Sequence, residues 1–212
     1  KVLYHSEQMK EWFDTGDTSA PVTVKIDLTN VCNHNCPGCV DADLIADDNN
    51  QLKLDLVKEL LEDMQQMGVK GINYTGGGEP TAYKHFNELV RWIHGEGLKV
   101  ALITNGSKVY WRRIEEDVCK MFSWVRVSIN IFQDWENRIG LPLEKFDTDK
   151  TIIGNSMVYT VEHESSDEVM SDRVALLKKV SKVADACGGQ YIRMLPNCLL
   201  EQENLIRQHK SL

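Results

Sequence analysis

The chain has 212 residues, 42% of them apolar and 26% charged, with 24 basic against 32 acidic side chains and a net charge of −8. That length is enough for one domain with its own core, and the acidic balance argues against a broad basic footprint for nucleic acid. No run approaches the roughly 18 apolar residues of a membrane span, so no membrane association is expected.

In chain order, residues 22–28 (VTVKIDL) alternate apolar and polar residues and predict a first strand. Residues 52–67 predict a helix, with Leu56, Val57, Leu60, Leu61, Met64 and Met67 at helical spacing and Gly68 as its stop. Residues 71–75 are strand two, and 83–94 a helix with Phe86, Leu89, Val90 and Ile93 on one face. Residues 98–104 are strand three, 109–121 a helix, and 124–130 strand four. Residues 152–161 are strand five. A helix over 172–187 carries Arg173, Leu176, Leu177, Val180, Val183, Ala184 and Cys187 along one side, and 190–195 are strand six, stopped by Pro196. Between Ile131 and Lys150, with Gly140 and Pro142 in the middle, no regular crossover helix is evident.

Six strands alternating with helices predict parallel βα units joined by right-handed crossovers. A full eight-unit barrel takes about 250 residues. The expected fold is therefore α/β: a partial (β/α)6 TIM-like barrel of parallel strands, with an open doubly wound sheet as the alternative. The expected organisation is an N-terminal segment (1–21), the barrel core (22–200) and the start of a C-terminal extension (201–212). In either architecture sites gather at the C-terminal ends of the strands.

Six cysteines occur, at 32, 36, 39, 119, 187 and 198, three of them within eight residues. The first ten residues lack a signal-peptide apolar stretch, so a cytoplasmic location is expected, and there metal or redox use is favoured over disulfides. The loop reads Cys32-Asn33-His34-Asn35-Cys36-Pro37-Gly38-Cys39. Thiolates at this spacing can converge from one loop and suit an iron–sulfur cluster or zinc. Three ligands leave a fourth position open, whereas a structural zinc needs four, completed here by His34 or a distant cysteine. Cys119 and Cys187 fall on helix faces and are assigned to packing.

Strand two ends in Thr75-Gly76-Gly77-Gly78-Glu79-Pro80, strand three in Thr104-Asn105-Gly106, and strand four in Ser128-Ile129-Asn130. Strand six carries Tyr191-Ile192-Arg193-Met194-Leu195-Pro196. Glycines at 76, 77 and 78 let a ligand approach the backbone, or simply make a strand-to-helix turn. Ser128 and Asn130 share one strand face, with Val127 and Ile129 turned outward, and either meet a ligand or cap the strand end.

These segments together resemble the radical S-adenosylmethionine (SAM) enzymes, whose signature is a CxxxCxxC loop after the first strand followed by a GGEP motif. The resemblance spans residues 22–196. It implies a 4Fe-4S cluster held by Cys32, Cys36 and Cys39, with SAM on the fourth iron, reductive cleavage of SAM to a 5′-deoxyadenosyl radical, and hydrogen abstraction from a substrate. It implies SAM contacts at Gly76, Gly77, Gly78, Glu79, Thr104, Asn105, Ser128, Asn130 and Arg193, Glu79 chiefly ordering its turn. An external flavodoxin- or ferredoxin-like electron donor is implied as partner. Two departures stand out: Gly38 occupies a position usually aromatic in the family, and the fourth crossover is irregular. The substrate is expected to be a peptide or protein, nucleic acid being disfavoured by the acidic balance. Cys198, just beyond strand six, is the candidate catalytic thiol, with packing or an auxiliary cluster as its alternatives. The competing function is a zinc-binding or iron–sulfur electron-transfer module without radical chemistry.

Overall fold

A computed structural model describes residues 6–16, 21–36, 39–47, 50–130, 138–159 and 167–196. Its centre is one six-stranded sheet in the order β1-β2-β3-β4-β5-β6: Thr23–Asp27, Gly71–Thr75, Lys99–Thr104, Phe122–Ser128, Ile152–Tyr159 and Ile192–Pro196. Every neighbouring pair is parallel. Strict sequential order without a reversal is the barrel pattern, not the doubly wound one. β1 and β6 do not pair with each other, so the sheet stays open and the barrel is partial.

The residues facing the helices form the core. Register aligns Ile26, Tyr74, Leu102 and Val125, then carries the same face to Ile153 and, one step on, Asn155 and Met157. Against this face pack α3 (Leu54–Gln66) through Val57 and Leu61, and α4 (Phe86–Gly95) through Phe86, Leu89, Val90 and Ile93. Each of those α4 side chains contributes roughly 2 kcal/mol by leaving water. Val127 and Ile129 are fully enclosed in this layer, and Cys119 and Cys187 are inside it too. The opposite sheet face carries Lys25, Asp27, Asn73, Thr75, Arg126 and Ser128, and is polar.

Several boundaries differ from the sequence expectation. The helix expected over 109–121 is two single turns, α5 (Lys108–Trp111) and α6 (Glu116–Cys119), with Glu115 extended between them. Tertiary contacts override the helical period there. The buried Trp111 indole donates to Thr104 Oγ1, and Arg91 forks onto Glu115 and Asp117 at 2.6 and 2.7 Å. Strand four begins two residues earlier than expected, at Phe122. α1 (Ser6–Thr15) and α2 (Ala42–Asp47) lie where no helix was expected.

The last helix, α7 (Asp167–Ala186), is longer than its apolar face suggests. It buries Val180, Val183 and Ala184, while Leu177 is 50% exposed. On α3, Leu56 and Leu60 are likewise exposed, as is Met67 just after it. Before β5 lies a 3-10 turn, Leu143–Lys145, and this stretch seats Ile139, Leu141 and Phe146 in the core. No helix of the described residues is long and apolar enough to cross a membrane.

Candidate functional site

The cysteine loop leaves the C-terminal end of β1 and is held at its stem by the turn after β2. Gly78 N–H donates to Thr29 O at 2.9 Å and Glu79 N–H to Val31 O at 2.8 Å. A Cβ on Gly78 would stand 2.5 Å from Val31 O and 2.6 Å from Thr29 O, so only glycine permits this approach. The requirement for glycine at 78 thus comes from the chain's own backbone. At Gly76 a Cβ would meet Gly78 O at 2.9 Å. At Gly77 it would meet only the Asn30 side-chain oxygen, at 3.1 Å.

Glu79 is 2% exposed and ties three turns together. Its Oε1 accepts from Thr81 N, Thr81 Oγ1 and Thr104 Oγ1, and its Oε2 accepts from Asn105 N at 2.6 Å. Burial pushes its carboxyl above the ordinary range, against the pull of these donors. Thr104, also 2% exposed, further accepts from Gly106 N and Trp111 Nε1. Glu79 and Thr104 therefore sit beneath the site and position it; their polar atoms are committed to the protein.

Asn105 carries the connection upward. Its side-chain N–H donates to Cys32 Sγ at 3.6 Å and to Asn33 Oδ1 at 3.1 Å, and its Oδ1 accepts from Ser107 N. Asn33 in turn donates to Ser107 Oγ at 2.7 Å. Gly106 adopts φ +68°, and a Cβ there would press on Val127 at 2.7 Å, so this tight turn also needs glycine. The strand-three turn is thereby latched to the cysteine loop from two sides.

The loop encloses a cavity of about 390 Å³ lined by Cys32, Asn33, His34, Asn35, Cys36, Cys39, Ala42 and Ile45. A larger one, about 690 Å³, is lined by residues such as Lys108, Trp111, Leu141 and Lys145 and by no cysteine. The three thiols are near enough to affect one another: burial first, then Cys32 and Cys39, push Cys36 up to about 11. Burial also raises Cys32, partly offset by the His34 N–H and Asn105 amide that point at its sulfur. His34 lines the cavity with both ring nitrogens buried and without partners among the described residues. Burial lowers its pKa, favouring the neutral ring.

Three thiols from one loop line one cavity, and N–H groups are aimed at the Cys32 sulfur. A cluster takes each thiolate on a different iron, and such N–H groups are the partners a cluster-ligating sulfur accepts. The donor set fits a three-thiolate cluster.

The other sequence-derived candidates are distributed as follows. Ser128 ends β4, half-buried on the polar sheet face. Asn130 uses its Oδ1 to accept from Val158 N at 2.7 Å, extending the β4–β5 edge. Arg193 is exposed on the same face as Ser128, in register with Ser156. Cys198, Gly38, and residues 131–137 and 160–166 lie outside the described residues. Sequence reasoning missed Asn33 and Arg126. Asn33 sits inside the cysteine motif, and Arg126 is two residues before Ser128, a spacing that puts both on one face.

The profile of the Radical SAM superfamily matches residues 26–148, more than half of the chain. An S-adenosylmethionine-dependent nucleotide dehydratase of Selenomonas ruminantium is 33% identical over 85 residues, 40% of this chain and 30% of that protein. A PqqA peptide cyclase of Bradyrhizobium diazoefficiens is 31% identical over 96 residues, 45% of this chain and 25% of that protein. The match spans only about a quarter to a third of these relatives' length. Among solved structures, SuiB of Streptococcus suis bound to S-adenosylmethionine aligns with 99% of this chain and 51% of its own, at a TM-score of 0.58 and 14% identity, a likeness of fold. The cysteine loop, the turns latched to it and the profile match agree: the chain belongs to the radical SAM superfamily.

Proposed function

We propose that this chain is the radical-forming core of an enzyme that holds a 4Fe-4S cluster through Cys32, Cys36 and Cys39, binds SAM beside it, and acts on a peptide or protein. The observation that carries the reading is the single cavity lined by all three thiols, with the Asn105 amide directed at Cys32. When bound, the reduced cluster with SAM supplies one electron that splits SAM into methionine and a 5′-deoxyadenosyl radical, which takes a hydrogen atom from the substrate.

The protein's own part is positioning. Glu79 fixes the height of the turns after β2 and β3 relative to the cysteine stem. Gly77, where a side chain would otherwise intrude, and Ser128 offer backbone and side-chain groups to SAM, and Asn105, its own side chain engaged, orients Cys32 beside it. Asn130 keeps the β4–β5 edge in register, and Gly76 and Gly78 shape the turn. An external flavodoxin- or ferredoxin-like protein supplies the electron, and a cytoplasmic setting suits both it and the reduced thiols.

The peptide reading draws on two facts. One relative is a PqqA peptide cyclase. Among the described residues β1 and β6 do not pair, so the sheet ends in two open edges, to which an extended chain could add.

Anaerobic reconstitution followed by reduction in the presence of SAM tests the reading. About four iron and four sulfide per chain, with 5′-deoxyadenosine and methionine formed together, are expected. Stoichiometric zinc, no iron uptake and no 5′-deoxyadenosine would return the chain to the zinc-module alternative.

A further inference from the structure

The polar sheet face carries a second constellation, on β4, β5 and β6. Arg126 pairs in register with Gly154, and the Tyr191 ring lies directly over Gly154, where a Cβ would come within 2.1 Å of it. Glycine at 154 thus makes the seat for the tyrosine. The Tyr191 hydroxyl lies near enough to the Arg126 guanidinium to bear on its charge, and the guanidinium carbon stands 5.7 Å from the Trp124 ring centroid. One level towards the C-terminal end, Ser128, Ser156 and Arg193 follow in register across the same three strands.

Among the described residues, Arg126 Nε is buried without a hydrogen-bond partner. Arg193 is close enough for its charge to bear on Arg126; that repulsion and, before it, burial lower the Arg126 pKa. Among the described residues, neither guanidinium is ion-paired with a carboxylate. Two like charges on a partly buried face, one with an orphaned donor, are unfavourable unless an anion joins them. The planar guanidinium fork is matched to an oxyanion.

We propose that Arg126, Tyr191 and Arg193 form the substrate's carboxylate-binding site, with Trp124 as its floor. This rests on the radical reading above, because Ser128, the neighbour of this site on β4, belongs to the proposed SAM position. A carboxylate is favoured over a polyphosphate. Among the described residues two guanidinium charges stand here, and the chain's net charge of −8 weakens long-range attraction of a highly charged ligand. Anchoring an acidic residue of a peptide at Arg126 holds the neighbouring residue one strand level nearer the C-terminal rim, beside the SAM position. The substrate class is thus an acidic peptide.

The test is isothermal titration of the anaerobically loaded chain with the peptide Ac-Ala-Glu-Ala-Ala-NH2, its Gln counterpart and inorganic phosphate. The Glu peptide should bind at least tenfold more tightly than the Gln peptide. Arg126→Gln and Arg193→Gln should each weaken it tenfold or more, and Arg91→Gln, at a remote surface ion pair, should leave it within twofold. SAM should leave the Glu peptide's affinity unchanged. Equal binding of Glu and Gln peptides, binding of phosphate alone, no binding at all, or displacement of the peptide by SAM would each overturn the proposal, the last by giving the site to SAM's own carboxylate. Should Arg126→Gln fail to fold, Arg193→Gln, on an exposed side chain, decides. Failure of the radical reading shows separately, as absence of 5′-deoxyadenosine from the same loaded sample.

Discussion

The Asn105 side-chain amide donates to the Cys32 sulfur at 3.6 Å, across 73 residues of sequence. The same residue's backbone N–H is held at 2.6 Å by Glu79. A cysteine proposed to hold the cluster is thus oriented by a turn two strands away, and that turn by a buried carboxylate in the turn after the strand between. Partners that orient a ligand typically matter tenfold to a hundredfold for metal retention.

Replacing Asn105 by Ala should therefore leave the fold intact but loosen the cluster. The loss removes hydrogen bonds to Cys32 and Asn33 and the one to Ser107 N. The expected outcome is roughly tenfold faster loss of iron to a chelator after reconstitution, followed by the visible absorbance. Replacing Cys32, Cys36 and Cys39 together by Ala should abolish iron uptake. A chelation rate unchanged in Asn105→Ala would mean that the contact to Cys32 is incidental.

Glu79 should prove a stability residue. Glu79→Ala orphans buried donors from Thr81, Thr104 and Asn105, at about 1–3 kcal/mol each before relaxation, so a loss of roughly 3 kcal/mol is expected in urea unfolding of the metal-free chain. The sign of its pH dependence follows from burial, which holds the folded carboxyl above its ordinary 4.5. Its contribution is complete below about pH 4.5 and falls as pH rises through the folded pKa. The gap between wild type and Glu79→Gln should accordingly narrow with rising pH. A gap that widens instead would show the carboxylate to be held below 4.5 by its donors.

The three consecutive glycines should separate. Gly78→Ala drives a Cβ to 2.5 Å from a backbone oxygen that has nowhere to go, so the stem of the cysteine loop must shift. It should cost about 2–3 kcal/mol of stability and lower cluster yield. Gly77→Ala meets one movable side-chain atom at 3.1 Å. It should melt within a few degrees of wild type, and Gly77→Val should weaken SAM binding by equilibrium dialysis. Equal destabilisation at both positions would contradict the different surroundings of the two glycines.

How much of this was legible in the sequence depends on distance along the chain. The strands were readable because each is a short apolar or alternating run, and parallel order followed from the intervening helices. The cysteine spacing is local and needs no fold. The convergence of Glu79, Thr104 and Asn105 is not local, since it depends on the parallel register of β2 and β3 and spans some 25 residues. The break between α5 and α6 was hidden for the same reason: an apolar period over 109–121 cannot show that Arg91 and Thr104 pull its two ends onto different partners. The open face of the sheet was readable only in part. Ser128 was found by its spacing, whereas Tyr191 over Gly154 joins two strands more than 30 residues apart.

Ser128 and Asn130, alike in the sequence, should differ in effect. Asn130 Oδ1 accepts from Val158 N, and Ile129 N–H donates to Ser156 O at 2.8 Å, so this stretch continues the ladder past the end of β4. Asn130→Ala leaves the Val158 N–H without its acceptor. A loss of about 1–2 kcal/mol in unfolding free energy is expected, with SAM affinity little changed. Ser128 contributes no apolar packing, so Ser128→Ala should melt as wild type does. Its hydroxyl stands on the polar face beside the proposed SAM position, and removing it should weaken SAM binding by about 1 kcal/mol, roughly fivefold, in equilibrium dialysis of the loaded chain. The strand-capping role would then belong to Asn130 alone and the cofactor role to Ser128. A Ser128→Ala protein that loses stability but keeps its SAM affinity would reverse the assignment, leaving both residues as strand caps.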